Sequence, residues 1–204
     1  MSEHKRGHKV SIMKTKILSG NYGDYELVFA SEEIIEKYTE PCLESMSAHE
    51  IYETWQLYHL SVKGLLEKVF SAVRLGRCEA YFLLCHNICE GNTEVVGIGG
   101  FGALADIETC MNCGEQGGNA LNGKTGEIWF MGESLAGHKR FLVRHGKEII
   151  AKILTVYPTL INAAAAWNYP ALHLVKFLGF TVGEKAIYIG MDSSLYKYFY
   201  ITKE

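Results

Sequence analysis

The clearest periodic stretch of hydrophobic positions lies between Ala48 and Leu75, where apolar residues recur mostly three or four positions apart. This spacing places them on one face of an α-helix. Ser47, with Glu50 three residues later, forms a capping-box pattern at the start of the helix. The pattern predicts one long helix whose apolar face is buried against a sheet. Trp55 lies on that face, so Trp55→Ala should cost about 3 kcal/mol or more of stability.

Shorter apolar runs between turn-forming residues predict the strands. The predicted strands are Tyr25–Ala30, Ala80–Cys85, Val95–Gly100, Glu127–Gly132, Thr159–Trp167, Lys185–Gly190 and Leu195–Ile201. Three further helices are predicted from Ser31 to near Pro41, from Ser134 to Tyr157, and from Pro170 to Leu178. The order β-α-α-β-β-β-α-β-α-β-β is an α/β arrangement with a mixed central sheet and an antiparallel meander in its middle.

Two segments interrupt this pattern. Residues 1–24 are mostly polar, which predicts a loosely ordered arm or one used for contacts. Residues 103–126 are polar, rich in glycine and without periodicity, which predicts a loop insertion. The remainder of 25–204 reads as one domain, as expected for a chain of 204 residues.

Composition narrows the class of protein. Apolar residues make up 48% of the chain and the formal net charge is -3, which argues against a nucleic-acid binder that relies on bulk charge. The basic N-terminal segment has no apolar stretch of the signal-peptide kind, and no apolar run is long enough to span a membrane. A cytoplasmic protein with reduced cysteines is therefore expected.

The C-terminal part carries a spaced motif. Asn168 and Ala171 are followed by Gly179 and Phe180 in the pattern N-x-x-A-x7-G-F. With the order of elements, this pattern resembles the GNAT superfamily of N-acetyltransferases. The segments IWFMG, YPTLINAAAAWN and KFLGF are similar to GNAT-like proteins of tailed bacteriophages, related to the podovirus internal virion protein A. The resemblance extends over residues 77–201.

The resemblance implies a fold and an activity. In the GNAT superfamily the fourth strand splays away from the fifth, and acyl-CoA lies in the gap. By this resemblance the protein is expected to be a phage-encoded, acyl-CoA-dependent N-acyltransferase that moves an acetyl group to an amine of a small molecule or a protein. The alternative is a catalytically inactive GNAT-like scaffold that acts as a virion or host-interaction protein, in the host cytoplasm or in the virion.

The resemblance also implies where acetyl-CoA or another acyl-CoA binds. Backbone groups of the fourth strand, the start of the following helix and the end of the fifth strand are the expected contacts. These residues are Trp129, Phe130, Met131, Gly132, Gly137, His138, Lys139, Arg140 and Asn168. The stretch SLAGHKRF keeps one glycine of the usual pyrophosphate loop and offers basic side chains in place of the others.

Acyl transfer to an amine requires a base, and an acid for the departing thiolate. Glu133 and Glu127, at the two ends of the fourth strand, are the candidate bases, and Asn168 completes the predicted catalytic set. Glu133 can equally serve only to cap the next helix. Val175 stands where many members of the superfamily have a tyrosine acid, and a valine cannot donate a proton.

Several other side chains have competing interpretations. His138 is a candidate base or phosphate donor, or a solvent-facing residue of the first helical turn. Tyr157 and Tyr169 are candidate replacements for the missing acid, although capping or core packing is the simpler reading. The aromatic residues of the last hairpin can pack in the core or form a partner surface.

Four cysteines raise the question of a zinc site. Cys85 and Cys89, with Cys110 and Cys113, have the spacing of paired metal ligands. The two pairs leave opposite ends of the central hairpin, which are about 20 Å apart for strands of this length. We therefore expect free thiols and no metal.

Gly97, Gly99 and Gly102 match the pattern G-x-G-x-x-G. A dinucleotide-binding loop needs a long helix directly afterwards, and none is predicted here. A strand that packs closely against its neighbour is the better interpretation.

Overall fold

The computed structural model describes residues 17–19, 23–87, 90–104, 125–132, 138–190 and 192–203. Within these ranges the chain forms nine strands and five helices. The strands are β1 (Ile17–Ser19), β2 (Gly23–Phe29), β3 (Cys78–Asn87), β4 (Thr93–Ala103), β5 (Thr125–Gly132), β6 (Thr159–Ala165), β7 (Thr181–Val182), β8 (Ile187–Ile189) and β9 (Ser194–Thr202). The helices are α1 (Glu32–Glu44), α2 (Ala48–Tyr58), α3 (Val62–Arg74), α4 (Lys139–Ile153) and α5 (Tyr169–Phe177).

One mixed sheet organises the described part of the chain. Its strand order is β1-β2-β3-β4-β5-β6-β9-β7, and β8 pairs with β9. Strands β1 to β5 form an antiparallel meander, whereas β5 and β6 are parallel. The predicted α/β class with a mixed central sheet is confirmed, and β1 and β7 are strands that the pattern did not predict.

Helices cover both faces of this sheet with hydrophobic residues. On one face α1 and α3 pack against the meander, with Leu66, Phe70 and Phe82 buried among them. On the other face α4 and α5 pack against the sheet around Ile153 and Leu172. The clusters stabilise the sheet from both sides because each buried side chain removes apolar area from water.

The prediction of one long helix over Ala48–Leu75 was wrong. The chain breaks at His59, which adopts a left-handed conformation with φ of 50°, and Ser61 starts α3 by accepting a hydrogen bond from the Gly64 N–H. Trp55 is 52% exposed, and its ring stacks on His59. The predicted burial of Trp55 was therefore wrong as well, because the break lets α2 turn a different face to the protein than α3 does.

The predicted end of α1 near Pro41 was also wrong. The helix continues to Glu44, with Pro41 inside it. Proline inside a helix removes one backbone hydrogen bond. Cys42, directly after it, is fully buried, and Met46 beyond the helix is buried too, so core packing at this end favours the continued helix.

The two irregular segments are only partly described. Ile17–Ser19 pairs with β2, so part of the predicted polar arm is an edge strand, and Gly23 and Asp24 belong to β2 itself. The bulk of the predicted insertion, residues 105–124, lies outside the described residues, as do residues 1–16. The domain boundaries at 24, 103 and 126 stay predictions. None of the described helices is both long and apolar enough to cross a bilayer.

Candidate functional site

The parallel strands β5 and β6 pair only at their beginnings. Thr125, Gly126 and Glu127 are in register with residues 159–161, and no pairing continues beyond them between these two strands. At the point of separation the Asn162 side chain donates from Nδ2 to the Ile128 carbonyl oxygen at 2.8 Å. The sheet therefore opens into a gap between residues 128–132 and 162–165. Asn162 was missed as a functional residue, although a lone polar side chain in an apolar strand is a readable signal.

Backbone groups of β5 line this gap. The Ile128 carbonyl points towards β6, because it accepts the bond from Asn162. Backbone groups in a strand alternate in direction, so the N–H and C=O of Phe130 point into the gap, while those of Trp129 and Met131 point towards β4. Of the predicted backbone contacts, Phe130 is thus the one best directed for a ligand in the gap.

The glycines of β4 receive the large rings of β5. Gly100 is paired with Trp129, and a Cβ atom at Gly100 would lie 2.5 Å from the Trp129 ring. Gly99 is paired with Phe130, and a Cβ atom there would lie 3.0 Å from that ring. Aromatic rings that cover glycines on a neighbouring strand fix its register. A Cβ atom at Gly97, Gly99 or Gly102 would come within 3.0 Å of a neighbouring strand, so close strand packing explains the G-x-G-x-x-G pattern.

Gly100→Ala is expected to destabilise the protein by about 1–3 kcal/mol, because the added methyl group overpacks the Trp129 ring and the Glu79 carbonyl. Gly64→Ala is the matched control. A Cβ atom at Gly64, in a helix, meets nothing closer than 3.5 Å, so this change should stabilise by about 0.4–1 kcal/mol. Chemical denaturation measures both, and equal effects of the two changes would contradict the packing described for β4.

The gap opens into a cleft of about 400 Å³, a size typical of small-molecule sites. Residues from both faces of the sheet line it. On one side are His49, Glu50, Glu53, Thr54 and Leu57 of α2, and on the other are Phe141 and Ile149 of α4 with Leu174 and Val175 of α5. The walls are mostly hydrophobic, with a few polar groups concentrated on the α2 side.

A hydrogen-bonded cluster fixes α2 across the gap. The Glu53 carboxylate accepts from the Ala165 backbone N–H at 2.6 Å and from Asn168 Nδ2 at 2.7 Å. Asn168 in turn caps α5, because its Oδ1 accepts from the Ala171 N–H at 3.2 Å. The Glu53 side chain, in the middle of α2, is thus bonded both to the end of β6 and to the residue that caps α5.

Glu50 lies one turn before Glu53 on the same side of α2, where Ser47 caps the helix as predicted. Burial, and next the charge of Glu53, raise the pKa of Glu50 to about 8. Burial also raises the pKa of Glu53, while its hydrogen bonds from Asn168 and Ala165 oppose that rise. Glu50 therefore changes charge near pH 8. Both residues were missed as site residues.

Two more contacts fix the position of α2. Trp167 Nε1 donates to Gln56 Oε1 at 3.1 Å, and His59 Nε2 lies 2.6 Å from Asp192 Oδ1. Both bonds join α2 to segments that follow β6 or precede β9. Together with Glu53 they hold the helix over one side of the gap.

No protein-family model matches this sequence, and the search of curated proteins found no match. Solved structures do match. RimL, a ribosomal L7/L12 alpha-N-protein acetyltransferase in complex with coenzyme A, is 14% identical, with a TM-score of 0.58 over 92% of this chain and 98% of its own. The microcin C7 self-immunity acetyltransferase MccE, solved with acetyl-CoA and AMP, is 12% identical, with a TM-score of 0.56 over 90% of this chain and 97% of its own. The ribosomal-protein-S5-alanine acetyltransferase from Vibrio fischeri is 11% identical, with a TM-score of 0.51 over 93% and 97%.

This chain has the GNAT fold. β5 and β6 are the fourth and fifth of the predicted strands, and the gap between them is the strand separation that the resemblance implied. The predicted site residues can now be placed in this fold. Asn168 is the N-cap of α5, and Glu127 is a buried residue of β5 that lines the cleft. Trp129, Phe130 and Met131 also line it.

Three of the residues predicted to contact phosphate, His138, Lys139 and Arg140, lie at the start of α4. His138 is only 8% exposed, and its Nδ1 lies 2.8 Å from the hydroxyl of the buried Tyr25, so the solvent-facing interpretation was wrong. Lys139 is the first residue of α4, and Arg140 is exposed. Gly137 and the candidate base Glu133 lie outside the described residues.

The remaining candidates have different surroundings. Val175 lines the cleft, and its equivalence to the tyrosine acid of the superfamily stays a prediction. Tyr169 is exposed, whereas the ring of Tyr157 packs edge-on against Phe101. Cys85 is buried in β3, and the described ranges contain no cluster of three metal-ligating side chains. The other three cysteines of the zinc question, Cys89, Cys110 and Cys113, lie outside the described residues.

Proposed function

We propose that this protein is an acyl-CoA-dependent N-acyltransferase that transfers an acetyl group to an amine. The observation that carries this proposal is the gap between β5 and β6, closed at its apex by Asn162 and opening into a cleft of about 400 Å³. RimL and MccE, which share the fold, were solved with coenzyme A and with acetyl-CoA. The acyl donor supplies the activated acyl group, and the chain supplies its orientation and the proton transfers.

Residues on the hydrophobic side of the cleft would hold the donor. The Phe130 N–H is directed into the gap and is suited to polarise a carbonyl oxygen there, as donors in an oxyanion hole do. The basic residues Lys139 and Arg140 at the start of α4 would pair with phosphate groups, where helix N–H groups also favour anions. His138 donates to or accepts from Tyr25, so its part in this proposal is to shape the start of α4.

One residue of the cleft favours a second candidate function. Val175 lines the cleft and offers no proton for a departing thiolate. A catalytically inactive GNAT-like scaffold, acting as a virion or host-interaction protein, is therefore the alternative. Exposed aromatic residues such as Trp55 and Tyr188 would serve that role. We also propose a phage origin for the protein with either function, and a place in the host cytoplasm or the virion.

Calorimetric titration with acetyl-CoA and with CoA tests the proposal. We expect one acetyl-CoA bound per chain. The double change Lys139→Ala and Arg140→Ala should weaken binding about 10-fold or more, as expected for charge-assisted contacts worth about 1.5–3 kcal/mol. The matched control is Arg144→Ala with Lys147→Ala, which removes the same charges from exposed positions further along α4 and should leave binding unchanged.

The outcomes separate the two functions. Binding of acetyl-CoA together with thiol release in the presence of an amine supports the enzyme. Binding without thiol release for any amine supports the scaffold. Native protein that binds neither acetyl-CoA nor CoA at millimolar ligand contradicts the acyltransferase.

A further inference from the structure

We propose that Glu50 binds the ammonium group of the acceptor amine and removes a proton from it, and that Glu53 is a positioning residue. This inference rests on the proposed acyl transfer and adds the identity of the base. The base lies on α2, not on the strand that supplied the predicted candidates Glu127 and Glu133.

The two carboxylates of α2 differ in their hydrogen bonds. Glu53 uses one oxygen for the Ala165 N–H and the other for Asn168. The Glu50 carboxylate faces the same cleft and has no hydrogen-bond partner among the described residues. Glu50 is therefore free to bind a ligand, while Glu53 is held in place and keeps α2 and its neighbour Glu50 over the gap.

The glutamates of α2 give this side of the cleft a negative charge that favours a cationic ligand. Glu50 and Glu53 of α2 line the cleft, and its described lining contains neither lysine nor arginine. His49, at the outer end of α2, is the single basic group in that lining. Partly buried like charges are costly unless an opposite charge compensates them. An ammonium group supplies that charge and three hydrogen-bond donors.

A buried hydroxyl gives independent support. Tyr196 of β9 is fully buried, and its hydroxyl has no hydrogen-bond partner among the described residues. Its register partner is Ala165, which is bonded to Glu53, and directly paired residues share one face of a sheet. The charges of Glu53, Tyr52 and Asp192 act on its hydroxyl and, after burial, raise its pKa, so Tyr196 lies on the side of the sheet that α2 covers. The described residues leave a polar group unsatisfied on the side where the ammonium is proposed to bind.

The proton transfers balance without another reactant. Ionised Glu50 takes one proton from the ammonium and becomes a neutral carboxyl group. The amine nitrogen then forms a bond with the thioester carbonyl carbon, and the C–S bond breaks. The second proton of the nitrogen ends on the thiolate, giving the free thiol, and Glu50 returns its proton to solvent. The net result is one amide, one thiol and one released proton.

The groups around Glu50 set the expected pH dependence. The charge of Glu53 acts on Glu50 directly, and His49 on α2 and Glu127 on β5 line the same cleft. Because Glu50 must be ionised to accept a proton, kcat/KM should rise with pH and level off above about 8. Glu50→Gln removes the titrating group, so its profile should lack that rise.

The first experiment measures binding and needs no knowledge of the natural acceptor. n-Butylamine, a cationic primary amine, and 1-butanol, its uncharged analogue of the same shape, are titrated at about pH 9, where Glu50 is ionised, into the protein saturated with CoA. We expect n-butylamine to bind at least about 10-fold more tightly than 1-butanol, and Glu50→Gln to abolish that preference. Equal affinity for the two probes, or an unchanged preference in Glu50→Gln, would overturn the inference.

The second experiment measures turnover by thiol release from acetyl-CoA with n-butylamine as acceptor. Glu50→Gln should lower kcat/KM by about 10²–10⁴-fold and flatten the pH profile, with acetyl-CoA affinity unchanged. The matched control is Glu67→Gln, an exposed glutamate of α3. Melting at pH 5, where Glu50 is neutral, verifies that the variant folds. Glu50→Gln with native kcat/KM and pH profile refutes the base assignment alone, whereas a native protein that binds no acetyl-CoA refutes the proposed function.

Discussion

Asn168→Ala is expected to lower the free energy of unfolding by about 2–4 kcal/mol. Asn168 accepts the Ala171 N–H as the cap of α5 and donates to the Glu53 carboxylate at 2.7 Å. Loss of a cap costs about 1 kcal/mol, and loss of a donor to a partly buried carboxylate costs about 1.5–3 kcal/mol. Chemical denaturation at pH 7 measures the sum.

A charge exchange tests whether the two contacts of Asn168 act together. Glu53→Gln places an amide donor against the Asn168 donor, and Asn168→Asp places a second carboxylate against Glu53. The double variant restores one donor and one acceptor, while the introduced aspartate still caps α5. We expect each single change to cost more than about 1 kcal/mol and the pair to recover at least half of the summed loss. Asn92→Ala, at an exposed hairpin turn, should stay within about 0.5 kcal/mol, and additive single effects would show that Asn168 and Glu53 are not coupled.

Glu50→Gln is expected to stabilise the protein at alkaline pH by about 2–3 kcal/mol, less than the full pKa rise of Glu50 would give because this side chain is only partly buried, while leaving stability at pH 4 unchanged. The pKa of Glu50 rises from the ordinary value of 4.5 to about 8 in the folded chain, through burial first and the charge of Glu53 second. Between these values the folded state holds a proton that the unfolded chain has released. Stability of the native protein therefore falls as pH rises from about 4.5 to about 8. Glutamine imitates the neutral carboxyl group and removes that loss.

Thermal or chemical unfolding across pH 4–9 measures this difference. The curves for the native protein and Glu50→Gln should meet at low pH and separate through the neutral range. Glu67→Gln, on the exposed side of α3, should run parallel to the native curve throughout. Native and Glu50→Gln curves that stay parallel from pH 4 to pH 9 would show that Glu50 is solvated as an ordinary glutamate. Functional residues often lower the stability of a protein. A stabilising effect of Glu50→Gln would therefore also agree with a functional role for Glu50.

Local signals in the sequence were sufficient for the frame of the fold. The predicted strands Ala80–Cys85 and Glu127–Gly132 lie within β3 and β5, and the cap at Asn168 with its N-x-x-A-x7-G-F spacing lies within one supersecondary unit. Such features depend on neighbours in the chain, so pattern and propensity can indicate them. The order of strands that produces the gap came from the resemblance, not from periodicity.

The carboxylate pair could not be found in this way. Glu50 attracted notice only as part of a capping box, and the Glu53 contacts join residues 112 and 115 positions apart in the chain. The break at His59 was missed for a related reason. Helical spacing of apolar residues persists across a change in helix direction, and only Ser61, a residue type favoured at N-caps, marked the new start.

Hydrogen exchange with and without acetyl-CoA tests most directly whether the gap between β5 and β6 is an acyl-CoA site. Backbone amides that no strand pairs exchange readily unless a ligand covers them. We expect saturating acetyl-CoA to slow exchange at residues 128–132 of β5, above all at Phe130, and at 162–165 of β6, with little change in β2 and β3. Unchanged exchange on both sides of the gap, with acetyl-CoA bound or with protection confined to another part of the sheet, would contradict the proposed site.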